Sequence, residues 1–306
     1  MKEKLAALEE KLILNNRLSY NILMSNIIIN SNINAKDKEL LLLLLQERDR
    51  NYVRINHNKQ VYENICSYLN VLRPLDLKEE LLVRRGGEND GSYVMFNGGG
   101  ELKKNHNAKA LSLGVSEYSP WDLEMAELGF KVIEYDASIE KSPYEHKNIV
   151  FHKKFIACHN DDLHITLEQA IKESTLDENQ ANILQCDIEN YEWEMLESID
   201  INLLKKYFTQ VIFEFHGCNP EETDGFQQRM KQLLRLRENF VPIYTHFNNH
   251  GKIFYSRALF FSTTIEVSFV RKDLMPTNTK LKENGESVFN SPTYLPNPEI
   301  PVRFVD

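Results

Sequence analysis

Gly114-Val115-Ser116, Asp136, Asp187-Ile188-Glu189 and Glu214-Phe215-His216 each follow an apolar run of the kind that builds a buried β-strand. In open α/β sheets ligands sit beyond the carboxyl ends of the strands, so these four polar strand ends are where chemistry is expected. Gly114 lets the backbone approach a ligand. Asp136 follows 22 residues later, where an acid at the end of a second strand accepts hydrogen bonds from ribose hydroxyls. The alternative for Asp136 is a turn-forming Asp before Ala137-Ser138. LSLGVSEYS has one glycine and no G-x-G-x-x-G turn, which opposes a pyrophosphate ligand and leaves an adenosyl sulfonium, with no phosphate to cradle.

The same strand ends carry groups that move protons or hold metals. His216 and His246 titrate near neutrality and are candidates for a general base, with Glu214 and Glu189 to orient a histidine or accept the proton themselves. A hydrogen-bonded structural role stands as the alternative for either histidine. Asp187, Glu189, Glu214 and His216 together offer O and N donors suited to Mg, Mn or Zn. His246 and His250 flank Asn248-Asn249 in a turn, so their H-x-x-x-H spacing is not that of two ligands on one helix face.

The elements that must position these residues begin near Pro74. From there, strand candidates at 110–115, 131–136, 148–156, 181–187 and 210–216 alternate with helical stretches, and 241–247 and 263–271 add two more, the last alternating as an antiparallel strand does. Ser119-Pro120 and Thr166 with Gln169 mark helix starts. Phe226, Met230, Leu233 and Leu234 form a core-facing stripe. Before Pro74 the chain reads as helices: Leu5, Leu8 and Leu12 keep a 3-4 spacing, 25–35 is an Asn-rich connection, and a Leu-dense helix runs from about 36 to 69. Helical packing of this kind suits self-association.

Composition narrows the classes further. With 36 Lys plus Arg against 45 Asp plus Glu the formal charge is −9, which argues against a nucleic-acid partner. The longest apolar run, Leu40 to Leu45, falls far short of the ~20 residues of a membrane span. Four cysteines without C-x-x-C spacing and a charged start without an apolar leader predict reduced thiols in a cytoplasmic protein. Asparagine is frequent, 30 residues, a usage that hints at an AT-rich bacterial genome.

RRGGENDGSYVM (84–95), LSLGVSEYSPWDLEMAELGFKVIEYDAS (111–138), ILQCDIENYEWEML (183–196), VIFEFHG (211–217), THFNNHG (245–251) and IEVSFVRKD (265–273) resemble the FkbM-type methyltransferases, which use S-adenosylmethionine. The resemblance covers about 77–273, with six motifs in order. It implies a class I, Rossmann-like α/β fold with a seven-stranded, mostly parallel sheet over 77–273; it leaves the helical extension over 1–76 unexplained and stops short of the Pro-containing tail over 274–306. It further implies that Gly114 and Ser116 flank the methionine part of the cofactor, that Asp136 holds the ribose, and that Asp187 closes the crevice. Asp90, in a N-D-G turn, resembles the family's motif and lines the same mouth, although that turn signal occurs in any protein. Two positions depart from the family pattern: Asn190 stands where a Gly usually follows D-I-E, and Ser92 where a second Gly follows D-G.

The implied activity is O-methylation of a hydroxyl on a sugar, glycan or secondary metabolite. Such an in-line displacement needs aligned groups, excluded water and a proton acceptor. His246 is placed ahead of His216 and Glu214 as that acceptor, because the Asn-rich turn after it suits a mobile rim. A divalent ion is the less favoured arrangement. A catalytically silent binding protein of the same fold and a nicotinamide oxidoreductase are the competing classes, and self-association through the N-terminal helices is expected.

Overall fold

The computed structural model describes residues 2–46, 53–98, 107–276 and 279–305. Its centre is a seven-stranded sheet whose strands are rich in Val, Ile, Leu and Phe because both faces are covered. In chain order these are β4 (Lys109–Leu113), β5 (Lys131–Tyr135), β6 (Ile149–His152), β9 (Asn182–Cys186), β10 (Phe208–Phe215), β11 (Phe240–Phe247) and β14 (Ile265–Arg271). Their spatial order is β11-β14-β10-β9-β4-β5-β6, and only β14 runs against its neighbours, between β10 and β11. β4 lies between β5 and β9, parallel to both, so the chain leaves this strand first toward one edge and then toward the other. That reversal opens a crevice at the carboxyl ends of β4, β5 and β9.

Helices pack on both faces. Trp121, Met125 and Ala126 of α4 (Pro120–Glu127) join Tyr93, Met95 and Phe130 in one cluster, while α3 (Lys59–Val71), α5 (Leu167–Glu173), α6 (Glu192–Ser198), α7 (Ile201–Tyr207) and α8 (Asp224–Asn239) cover the other. Thr166 caps α5 as expected, its Oγ1 accepting from the Gln169 amide at 3.2 Å. Ser119 does not cap α4 through its side chain; the hydroxyl instead donates to Asp122. On α8, Leu233 and Leu236 are buried, whereas Leu234, expected on that stripe, points to solvent.

Several boundaries differ from the sequence expectation. The helix expected over 36–69 is two helices, α2 (Ala35–Gln46) and α3, with a three-residue strand β1 (Val53–Ile55) between them; residues 47–52 lie outside the described chain. α1 (Lys2–Ile29) takes in the first five residues of the expected Asn-rich connection, 25–29. The strand expected over 148–156 breaks at Lys153-Lys154 into β6 and β7 (Phe155–Ile156), and β7 pairs with β8 (His164–Ile165). β2 (Leu82–Arg85) and β3 (Tyr93–Phe96) form a separate hairpin, so the strand after Asp90 stands outside the main sheet. A further small sheet joins β1 to β12 (Ile253–Ser256) and β13 (Leu259–Ser262).

Both ends of the chain enter the core. Ile65, Tyr68 and Leu69 of α3 are buried, and Tyr68 stacks on Phe261 at 5.3 Å. The segment after residue 274 is no free tail: Ile300, Val302 and Phe304 are buried in the main core, and the Lys282 amide donates to the Pro74 carbonyl.

Beneath the crevice, Ser112, Asp122, Glu134 and Gln185 form a buried polar layer. The Ser112 hydroxyl lies 3.1 Å from Asp122 and 2.9 Å from Gln185. Burial raises both acids, and the Asp122 charge pushes Glu134 further, to about 8. In the unfolded chain both ionise near pH 4, so between about 4 and 8 the folded state binds more protons and stability falls as pH rises. Calorimetric melting temperatures should therefore drop from pH 5 to pH 8, and Glu134→Gln should flatten that slope. An unchanged slope in this variant would remove the pair as its cause.

Candidate functional site

A cavity of about 670 Å³ opens at the carboxyl ends of β4, β5 and β9, within the range of small-molecule sites. Gly114, Tyr135, Asp136, Ser138, Asp187, Ile188 and Glu189 line its inner end, and Phe155, Cys158, His159, His164 and Tyr191 its outer end. Gly114 has φ +80°, and a Cβ there would stand 1.7 Å from the Asp187 carbonyl oxygen, so no other residue fits between β4 and β9. Ser116 also adopts a positive φ.

Asp136 ties this loop together. One carboxylate oxygen accepts from the amides of Val115 (2.9 Å) and Ser116 (3.1 Å), the other from the amide and hydroxyl of Ser138, both at 2.6 Å. Burial opposes its charge, but the four donors outweigh that and hold the carboxyl below its ordinary value. Its acceptor positions are thus filled from within the chain. Asp136 shapes the loop around the cavity, where the sequence anticipates a direct hydrogen bond to ribose.

The Asp187-Ile188-Glu189-Asn190 turn is carried by two successive left-handed residues, Glu189 at φ 53° and Asn190 at φ 82°. Asn at this position accommodates the conformation for which a glycine is usual. Ser92 is likewise compatible with its turn, donating to the Asn89 carbonyl and accepting from Arg84.

Beyond the cavity lies a second group of residues around His216. Its Nδ1 is 3.1 Å from Glu192, and its Nε2 faces Glu214 at 3.5 Å, Glu189 at 3.6 Å and Asp187 at 3.8 Å. Burial alone lowers an imidazole pKa, but the hydrogen bonds and charges of Glu192 and Glu214 prevail and raise it to about 11. His216 is therefore an imidazolium at neutral pH and cannot act as the base. Burial lifts Glu214 to about 7 and raises Asp187 well above the carboxylate range. Asp187 Oδ1 is buried without a hydrogen-bond partner. Donor atoms of Asp187, Glu214 and His216 lie within 4.8 Å of one another, a set suited to a divalent ion.

His246 lies elsewhere and does something different. It is 1% exposed, with Nδ1 at 3.1 Å from Glu266 and Nε2 at 2.9 Å from Glu299. Burial is outweighed by these two carboxylates, which raise it to about 10. The expected mobile rim is a packed turn: Asn249 is fully buried and donates to the carbonyls of Tyr294, Asn297 and Pro298. Neither nitrogen of His246 is free to take a substrate proton, which corrects its placement as the leading base. Asp90 does not line the cavity. Burial raises its carboxyl, followed by the charge of Glu266, which sets it on the acidic side of the site.

Sequence reasoning misses Glu192, Glu266 and Glu299. Glu192 is fully buried and accepts from the Ile188 amide as well as facing His216. Its position four residues after Ile188 at a helix start was the one local signal.

No family model matches the chain, and no curated protein matches it. Among solved structures the chain is similar to one in a crystal structure of a fibrillarin/Nop5p complex, at 10% identity and a TM-score of 0.34 over 54% of this chain and 73% of that one. A likeness at this level carries no functional argument.

Removing His246 would leave the buried Glu266 and the partly exposed Glu299 without their cation, a loss of about 3 to 5 kcal/mol for a broken buried ion pair. His246→Gln should lower the urea midpoint by the corresponding amount. Near wild-type stability in that variant would show that the fold does not depend on the His246–Glu266 pair.

Proposed function

We propose that this chain is an S-adenosylmethionine-dependent O-methyltransferase of the FkbM type, acting on a hydroxyl of a sugar, glycan or secondary metabolite. The observation that carries the reading is the acidic character of the strand-end cavity: Asp136, Glu189 and Glu194 line it, and no Lys or Arg is among its described lining residues. A sulfonium cation suits such walls, whereas a dinucleotide pyrophosphate does not. The sheet supports the same reading, with seven strands and the reversed β14 beside β10, the layout expected of a class I methyltransferase.

S-adenosylmethionine supplies an electrophilic methyl group. The chain's own residues then have three tasks. Asp136 and Gly114 shape the loop that borders the cofactor, with Ser116 in it. Glu189 provides negative charge beside the sulfonium, and Asp187 a half-buried polar carboxyl. Glu214, raised to about 7, accepts the hydroxyl proton, an affinity matched to neutral pH, and the His216 imidazolium 3.5 Å away stabilises it once ionised. The unpartnered Asp187 Oδ1 favours a second arrangement, in which Asp187, Glu214 and His216 hold a divalent ion that activates the hydroxyl.

The N-terminal helices give the chain a means of self-association. Leu8, Leu12, Ile22 and Ile29 of α1 are all more than half exposed. Leu8, Ile22 and Ile29 recur at multiples of seven residues and Leu12 falls at the companion position, the pattern of a coiled-coil seam. The Leu5 side chain lies outside the described positions. A second copy of α1 presents the matching stripe.

Isothermal calorimetry should detect S-adenosylhomocysteine binding and no NAD binding, with Asp136→Ala weakening the former about 10- to 100-fold through the opened loop. NAD binding without S-adenosylhomocysteine binding would overturn the assignment. Light scattering should find the full-length chain dimeric, and Leu8→Glu with Ile22→Glu should make it monomeric. A monomeric wild-type chain at tens of micromolar would end the self-association proposal.

A further inference from the structure

The loop from β7 into β8 carries His159, Asp161 and His164, three donor side chains in six residues that the methyl-transfer reading leaves unused. His159 Nε2 lies 3.3 Å from Asp161 Oδ2, and His164 Nδ1 lies 3.0 Å from the same oxygen. The two imidazole rings are 4.8 Å apart between centroids. Ligands bound to one ion at about 2.1 Å stand roughly 3.0 Å apart at a right angle and roughly 3.4 Å at a tetrahedral angle. The spacings around Asp161 Oδ2 are compatible with donors that share an ion, as they are with direct imidazole–carboxylate hydrogen bonds.

Backbone contacts hold this arrangement. Asp161 Oδ1 accepts from the amides of Leu163 (2.8 Å) and His164 (2.7 Å) and lies 2.9 Å from His164 Nδ1, so the carboxylate faces His164 through both oxygens and His159 through Oδ2. The Asn160 side chain accepts from the Thr166 amide, and the Phe155 and Ala157 amides donate to the carbonyls of Leu163 and Ile165. Two of the three ligands thus stand on a loop ordered by contacts outside the trio, which reduces the cost of organising the site. The side chains of His159 and Asp161 are 64% and 48% exposed, so an ion has an entry path.

We propose that His159, Asp161 and His164 form a three-ligand site for a divalent transition-metal ion, Zn²⁺ foremost, at the outer end of the strand-end cavity. Two imidazoles with one carboxylate select Zn²⁺, Co²⁺ or Ni²⁺ over Mg²⁺ or Ca²⁺. Ion binding replaces the contacts that the two imidazoles make with Asp161, and the remaining coordination positions are open to water or to a donor from a molecule in the cavity. The site stands independently of the methyltransferase reading.

The test is calorimetric titration of the chelator-treated full-length chain with ZnCl₂. One ion per chain should bind with a roughly micromolar dissociation constant, and His159→Ala or Asp161→Asn should weaken it about 100-fold. Imidazole NMR of the wild-type chain needs no variant: the His159 and His164 ring nitrogens should shift together on adding one equivalent. A folded His159→Ala/His164→Ala chain that keeps wild-type affinity would overturn the proposal, since the ion would then sit at Asp187, Glu214 and His216. So would unshifted His159 and His164 resonances, or no binding below millimolar Zn²⁺.

Discussion

Negative charge buried at the carboxyl edge of one sheet is the constraint to which the rest of the molecule answers. Glu192, Glu214 and Glu266 are all nearly inaccessible, and carboxylates in that setting need a cation, a donor or a proton. His216 serves Glu192 and Glu214, His246 serves Glu266, and Asn248 donates to Glu214 at 2.7 Å. The C-terminal segment answers the same demand, with Thr293 donating to Glu266 and Glu299 closing over His246. A stretch that looks dispensable in one dimension is part of the charge balance in three.

Asp187 connects the two halves of the site. Its backbone carbonyl lies against Gly114 and so fixes the width of the cavity between β4 and β9. Its side chain faces His216 in the acidic group. Geometry on the cavity side and electrostatics on the acidic side are therefore set by one residue, and a shift of the turn after β9 would alter both. The adjacent left-handed pair Glu189-Asn190 makes that turn sharp enough to send α6 back across the sheet.

What the sequence made legible and what it hid divide along contact distance. The five parallel strands are readable because a strand covered on both faces is apolar along its length, and their polar ends are readable because polarity resumes where cover stops. β1 is too short for a period to register, and the Leu run of α2 leads into charged residues in a manner that resembles a continuing helix. The environment of His246 is hidden for another reason: its partners are 20 and 53 residues away in sequence. Asp136 was legible in part: the turn it makes with Ser138 is local and was readable, whereas the Val115 and Ser116 amides that it also holds come from the loop after β4, which only the folded sheet brings beside it. His159, Asp161 and His164 lie within six residues, yet only the turn between β7 and β8 brings their donor atoms together.

The position of β14 bears on how the molecule is made. It is the last strand in the chain, yet it lies between β10 and β11 and hydrogen-bonds to both. On a ribosome β10 emerges with Phe208, Phe213 and Phe215 along an unpaired edge, and β11 has no place to dock until β14 follows. An open, aromatic strand edge during synthesis invites pairing with other nascent chains. Production of this protein is thus expected to be limited by the interval between emergence of β10 and of β14, so that slow translation across residues 216–264 favours aggregates over folded chain.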